Sequence, residues 1–212
     1  MGKCRKISTH TKMCYSAESS GGTFLFVGAV ALLLTVQGKT AIALILVVLA
    51  SMQILEYVIW TQTPACTPAN YVASSLIPLL LALQPTLVAL ILWISKEGGS
   101  ASQHIYRALF YFSAVAVVAV LSYMAMYPRP SCVKPEKGHL KWDLDRRFLT
   151  AFQVFYYVVM SALVLIRPSV LGIGLFAVYA GSWVYYTLNY PETWPSLYCH
   201  AINAGAVLAL FA

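Results

Sequence analysis

TAIALILVVLASMQILEYVIWT, residues 40–61, carries one charged side chain, Glu56, in 22 positions. At 1.5 Å per residue, a helix of that length spans about 33 Å, enough for the roughly 30 Å hydrocarbon core of a bilayer. Gln53, Glu56, Tyr57 and Trp60 recur at i, i+3, i+4 and i+7, so they share one helical face. Glu56 is the only acidic residue within a long apolar run of this chain. Placing an ionisable group there costs about 3 kcal/mol on insertion scales, so such a residue faces a protein interior or a cavity.

Working outward, the rest of the chain repeats the pattern without the carboxyl. Hydrophobic residues make up 60% and charged residues 10% of the 212 residues, with a mean hydropathy of +0.73. A soluble domain carries about 25% charged residues, so the composition predicts a polytopic membrane protein. Seven spans are expected, near 20–37, 40–61, 71–94, 105–127, 148–166, 169–189 and 195–212. The predicted class is an all-α bundle: residues 20–212 as one transmembrane domain, behind a tail over residues 1–19 with no cleavable signal peptide. The breaks are chemical: Gln37-Gly38-Lys39, Thr63-Pro64, Thr67-Pro68, Lys96 to Ser100, Arg167-Pro168 and Tyr190-Pro191. Pro128 to Arg147 reads as the one long loop. The net charge of +7 sits in loops and tails, where it suits lipid headgroups and gives no nucleic-acid signal.

Seven spans define two sides. Side A holds the N-terminal tail and the loops after spans two, four and six. Glu56 lies six residues from Gln62, about 9 Å below side A, and His200 lies six residues beyond Trp194, at matching depth. Ser196, Cys199, His200 and Asn203 repeat the same helical spacing, as do Gln153, Tyr156, Tyr157 and Met160, and Tyr179, Ser182, Trp183 and Tyr186. Residues 41–49, 87–94, 158–166 and 204–212 are nearly all apolar. The expectation is a cup with a polar, aromatic mouth on side A over an apolar floor, which suits a pocket more than a through-pore.

Each marked residue has two readings. Glu56 is either a structural carboxyl hydrogen-bonded to Gln84, a tyrosine or His200, or the charged centre of a site. His200 is a satisfied interior histidine, or half of a Glu–His pair acting as a pH lock or proton relay. Tyr57, Tyr157 and Tyr186 are packing or pocket lining. Trp60, Tyr71, Tyr127, Tyr190 and Trp194 read as interfacial belt residues. Gly172, Gly174, Gly181 and Gly205 read as close-approach points between helices, and Pro78 and Pro85 as kinks. Cys14, Cys66, Cys132 and Cys199 share side A and allow three disulfide connectivities, Cys14–Cys199 with Cys66–Cys132 among them, or free thiols. Orientation is left open. Side A carries ten Lys and Arg against four on side B, which places it in the cytosol, whereas disulfides would place it outside. No lysine falls in a span, so a retinal Schiff base has no attachment point, and no cofactor or metal is expected.

Met13-Cys14-Tyr15-Ser16-Ala17, Ser51 to Trp60, Leu83-Gln84-Pro85 and Ser196-Leu197-Tyr198-Cys199 with Asn203 together resemble a family of uncharacterised multi-pass membrane proteins. Its members occur in giant viruses, algae and other microbial eukaryotes. The resemblance covers Met13 to the end, with Tyr198 where the family carries Trp. It implies a membrane bundle marked by Cys14, Gln53, Glu56, Trp60, Gln84, Pro85, Cys199 and Asn203, with residues 1–12 as an extension, and it implies no activity. The leading expectation is a protein of the lipid bilayer that binds or transports a small molecule or ion. Glu56 would be its centre, with Gln53, Gln84, His200 and Asn203 as partners. The alternatives are a receptor-like or scaffold protein without transport, and an intramembrane lipid-modifying enzyme.

Overall fold

Helix ends follow from side chains that meet the unpaired backbone groups there. The computed structural model describes residues 16–63, 65–96, 99–127, 132–136, 139–142, 146–165, 170–189 and 199–211. Ser16 caps α1 (Ala17–Val36) by accepting from the Ser19 N–H. Gly38, at φ +78, closes it: Gly38 N–H donates to Thr35 O and Lys39 N–H to Leu34 O. That double return is the Schellman arrangement, and it needs a residue tolerant of the left-handed region. Thr67 caps α4 (Pro68–Ile94), with Pro68 in the first turn, where its missing N–H costs nothing.

Residues 40–62 form one helical run broken at Ser51, into α2 (Thr40–Ala50) and α3 (Met52–Gln62). The Ser51 N–H and hydroxyl both turn back to Val48 O, at 3.3 and 2.6 Å. The hydrogen-bond ladder of the expected second span is therefore interrupted at Ser51, whose backbone stays in the helical region, because a serine competes for the backbone carbonyls. The remaining helices are α5 (Ser100–Met126), α6 (Arg146–Leu165), α7 (Val170–Asn189) and α8 (Cys199–Leu210).

The chain is predominantly helical. Among the described residues, four helical runs are long and apolar enough to cross a membrane: Ala17–Val36, Thr40–Gln62, Pro68–Ile94 and Ser100–Met126. The expected seventh span, 195–212, is described as a helix of 12 residues, about 18 Å long. An element outside the all-α expectation occupies the long loop. Lys134–Glu136 (β1) pairs antiparallel with His139–Lys141 (β2), in the register Lys134 with Lys141 and Glu136 with His139.

The helices close into a ring. α1 packs on α2, α3 and α8; α4 packs on α2, α3 and α6; α7 joins α6 to α8. α5 rides outside on α4, burying only Tyr106, Ser113 and Val120, a seam of one residue per two turns. Its other face carries Tyr111, Phe112, Val115, Val118 and Met126 in the open, and α1 likewise exposes Leu25, Leu32 and Val36. A soluble monomer rarely leaves such continuous apolar stripes uncovered. Two apolar cores result. The larger runs through the ring from Val27 and Leu34 to Met160, Ile202 and Ala206. The smaller joins Met52, Ile59, Ala73 and Ile77 to Val133, Leu140 and Trp142 of the hairpin segment.

Candidate functional site: a buried carboxyl beneath a hairpin

The buried face of α3 is Met52, Gln53, Glu56 and Ile59. Gln53 and Glu56 are 2% and 1% exposed. Tyr57, one residue on and 100° round the helix, is 45% exposed, and its ring lies against Gly21 of α1. Trp60 is half-buried and packs on the smaller core. The stripe seen in the sequence is thus rotated: the carboxyl and amide point inward while Tyr57 closes the α1 seam.

Gln53 lies one turn before Glu56 on the same buried face of α3, and Trp142 is buried in the small apolar core that this face helps to form. Oε1 of Glu56 and Oε1 of Gln53 meet no hydrogen-bond donor. Two acceptor oxygens, one turn apart on one buried face, are therefore short of a donor. Buried polar atoms are normally paired, so this is an unusual local arrangement.

The mouth expected above Glu56 is covered. Val133, Leu140 and Trp142 are all buried against α3 and α4. Cys66 and Cys132 form a disulfide, with Cα atoms 5.6 Å apart, that ties the α3–α4 turn to the residue before Val133. Ser74 donates to Asn70 Oδ1 at 2.8 Å and accepts from the Val133 N–H at 3.0 Å. Asn70 Nδ2 donates to Val133 O at 3.3 Å and to Ala65 O at 3.4 Å. Both side chains are fully enclosed, so the hairpin segment is held by a covalent bond, a buried polar clamp and an apolar underside.

The other expected site residues lie elsewhere. Gln84 does not reach Glu56 in its hydrogen bonding. Its Nε2 donates to Val48 O and Leu49 O, each at 3.1 Å, and its Oε1 accepts from Tyr156 OH at 3.2 Å. It serves the carbonyls loosened by the Ser51 break and ties them to α6. Asn203 donates through Nδ2 to Thr23 Oγ1 of α1 at 3.1 Å, leaving Oδ1 unmet. Tyr157 stacks on Trp183, ring centroids 4.8 Å apart, and stands edge-on to Tyr156. Tyr186 is half-buried, edge-on to Tyr185. His200 and Cys199 fall in α8, but their side chains, and all of Cys14, lie outside the described residues. Of the expected close-approach glycines, Gly205 is one: a Cβ there would sit 2.7 Å from Tyr179 OH. Gly174 has ordinary clearance and Gly181 faces open space.

Trp142, Asn70 and Ser74 escaped the sequence reading. Trp142 did leave a signal. His139-Leu140-Lys141-Trp142 alternates polar and apolar, the mark of a half-buried strand, and Lys137-Gly138 precedes it as a turn pair. Asn70 and Ser74 stand at i and i+4 on α4, a spacing that puts both on one face.

The chain matches no protein-family model, no curated protein and no solved structure.

Proposed function

We propose that the chain is a seven-span membrane protein whose Glu56 binds a small cation or an N–H-bearing small molecule, and that it carries this ligand across or into the bilayer. The observation behind the reading is the buried pair of acceptor oxygens, Glu56 Oε1 and Gln53 Oε1, that no donor reaches. A proton or an ammonium-type N–H satisfies both at once.

The ligand group narrows to Glu56, Gln53 and Trp142. Gln84 is assigned to pinning the α2–α3 break, since each of its polar atoms is already engaged. His200, at matching helical depth, is the proposed relay partner. We also propose kinship with the giant-virus and algal membrane family, on the Met-Gln-x-x-Glu-aromatic-x-x-Trp pattern of residues 52–60.

Reconstitution of the full chain in liposomes tests the reading. A trapped pH dye reports proton movement, and radiolabelled methylammonium reports an N–H cation. Flux above empty liposomes that Glu56→Gln abolishes is the expected result. Equal traces for protein, variant and empty liposomes would refute transport, and a partner recovered by cross-linking would then favour the scaffold reading.

A further inference from the structure

Glu56 and Gln53 share their shortage of donors with two other helices of the ring. Ser20 Oγ of α1 and Asn203 Oδ1 of α8 are also enclosed, and neither makes a hydrogen bond. Ser20 is 0% exposed. Two contacts place the four residues in one layer. A Cβ on Gly21 would lie 3.2 Å from the Tyr57 ring, so α1 meets α3 at that point. Ser20 and Glu56 are the residues just before those two, and stand at a similar height. Thr23 Oγ1 accepts from Asn203 Nδ2 at 3.1 Å, so α1 meets α8 about one turn further on. Each residue turns a helix by about 100°. Seen from Ser20, Gly21 therefore lies about 100° to one side and Thr23 about 60° to the other. Ser20 faces the interior between α3 and α8. On α3, Gln53 lies about 40° from Tyr57 and about 60° from Glu56. It stands between the α1 contact and the carboxyl.

We infer that Ser20, Gln53, Glu56 and Asn203 form the ligand set of a single dehydrated alkali cation, held where α1, α3 and α8 meet. This rests on the ligand reading of Glu56 and names the chemical class of the ligand. The oxygens select the ion. Glu56 Oε1, Gln53 Oε1 and Asn203 Oδ1 are acceptors, and the Ser20 hydroxyl gives its proton to none of them. A bridging water brings two O–H donors for these three acceptors, whereas one cation is coordinated by all four oxygens together. Oxygen donors suit a hard cation over a thiophilic or imidazole-seeking metal. Charge then decides the valence. Among the described buried residues, Glu56 is the one charged side chain. A monovalent ion brings the layer to neutrality, and a divalent ion would leave an uncompensated charge among apolar helices.

The full chain in detergent tests the site with the ions themselves. Radiolabelled sodium, with rubidium standing for potassium, is the probe. Saturable binding that unlabelled alkali ion displaces and choline does not is the expected result. Thermal unfolding should shift upward in the salt of the bound ion relative to choline chloride at equal ionic strength, by mass action. Ser20→Ala should weaken ion binding by about tenfold, because one ligand of a charged group is lost. In choline its melt should match the parent's, since the Ser20 hydroxyl has no partner to lose. A merely structural serine would give the reverse pattern, a lower melt with ion binding intact, and that pattern would overturn the site. Ser20→Cys replaces the oxygen with a soft sulfur and reads the same loss if the alanine variant does not fold. Calcium binding tighter than sodium or rubidium would overturn the charge argument, and absence of alkali-ion binding by the parent chain would overturn the site outright. The Glu56 reading keeps its own readout. If no alkali ion binds while Glu56→Gln abolishes proton or methylammonium flux in liposomes, the ion class is wrong and Glu56 stands. If neither ion binding nor flux depends on Glu56, both fall.

Discussion

Replacing Glu56 with Gln changes one oxygen to an NH2 group without changing volume, so it leaves no cavity. In the folded protein Glu56 is 1% exposed and its Oε1 meets no donor, while Gln53 Oε1, one turn back, is equally unmet. An unpartnered buried polar atom carries a penalty of roughly 1–3 kcal/mol. The new amide brings a donor to the face shared with Gln53, whose Oε1 has none. Glu56→Gln should therefore hold or gain stability, by about 1 kcal/mol, which for a chain of this length is a rise of roughly 2–4 °C in Tm. Glu56→Leu is the counterpart: it removes the polar neighbour of Gln53 on that buried face, and should cost about 2 kcal/mol. Thermal unfolding in detergent, followed by tryptophan fluorescence, measures both. If Glu56→Gln falls by as much as Glu56→Leu, the carboxyl is a structural hub, and the claim that it is kept for a ligand at a cost in stability collapses. If it gains while losing flux, the carboxyl is retained for function.

Gln84→Leu and Tyr156→Phe should each destabilise modestly, about 0.6 kcal/mol per hydrogen bond lost. A double-mutant cycle in a denaturation titration should show them coupled, since Tyr156 OH donates to Gln84 Oε1. Gly205→Ala should cost about 1–3 kcal/mol, because its Cβ would meet Tyr179 OH at 2.7 Å and Leu175 Cδ2 at 3.2 Å. The same change at Gly181, which faces open space, should be neutral or slightly stabilising in the same melt. Ser74→Ala removes the acceptor for the Val133 N–H. Hydrogen exchange at that amide should speed by about tenfold, with little change on α1 or α5.

Much of the architecture was readable because length and apolarity form a one-dimensional code. Runs such as 40–61 and 71–94 advertise helices by length and apolarity alone, and Gly38 and Pro68 mark ends that the backbone requires. The tight turn at Gln37-Gly38-Lys39 and the helices on either side of it follow directly. Gln53 and Glu56 were likewise visible, since a polar group in an apolar run is costly wherever it points. The direction in which they point was not. A stripe at i, i+3, i+4 and i+7 spans about 100° of the helix, and only the packing of α3 against Gly21 of α1 decided that Tyr57 would leave the buried face.

The sequence by itself determined the helical class, the positions of the apolar runs and the identity of the one carboxyl within them, because length and apolarity are properties of each segment taken alone. The tertiary structure decided the partners. Gln84 went to the carbonyls freed at Ser51 and Asn203 to Thr23. The face of α3 that carries Glu56 met the segment around Trp142, in what had read as a loop. Hydrogen bonds and disulfides are directional and join residues remote in sequence. Which donor meets which acceptor is settled only when the helices have chosen their neighbours.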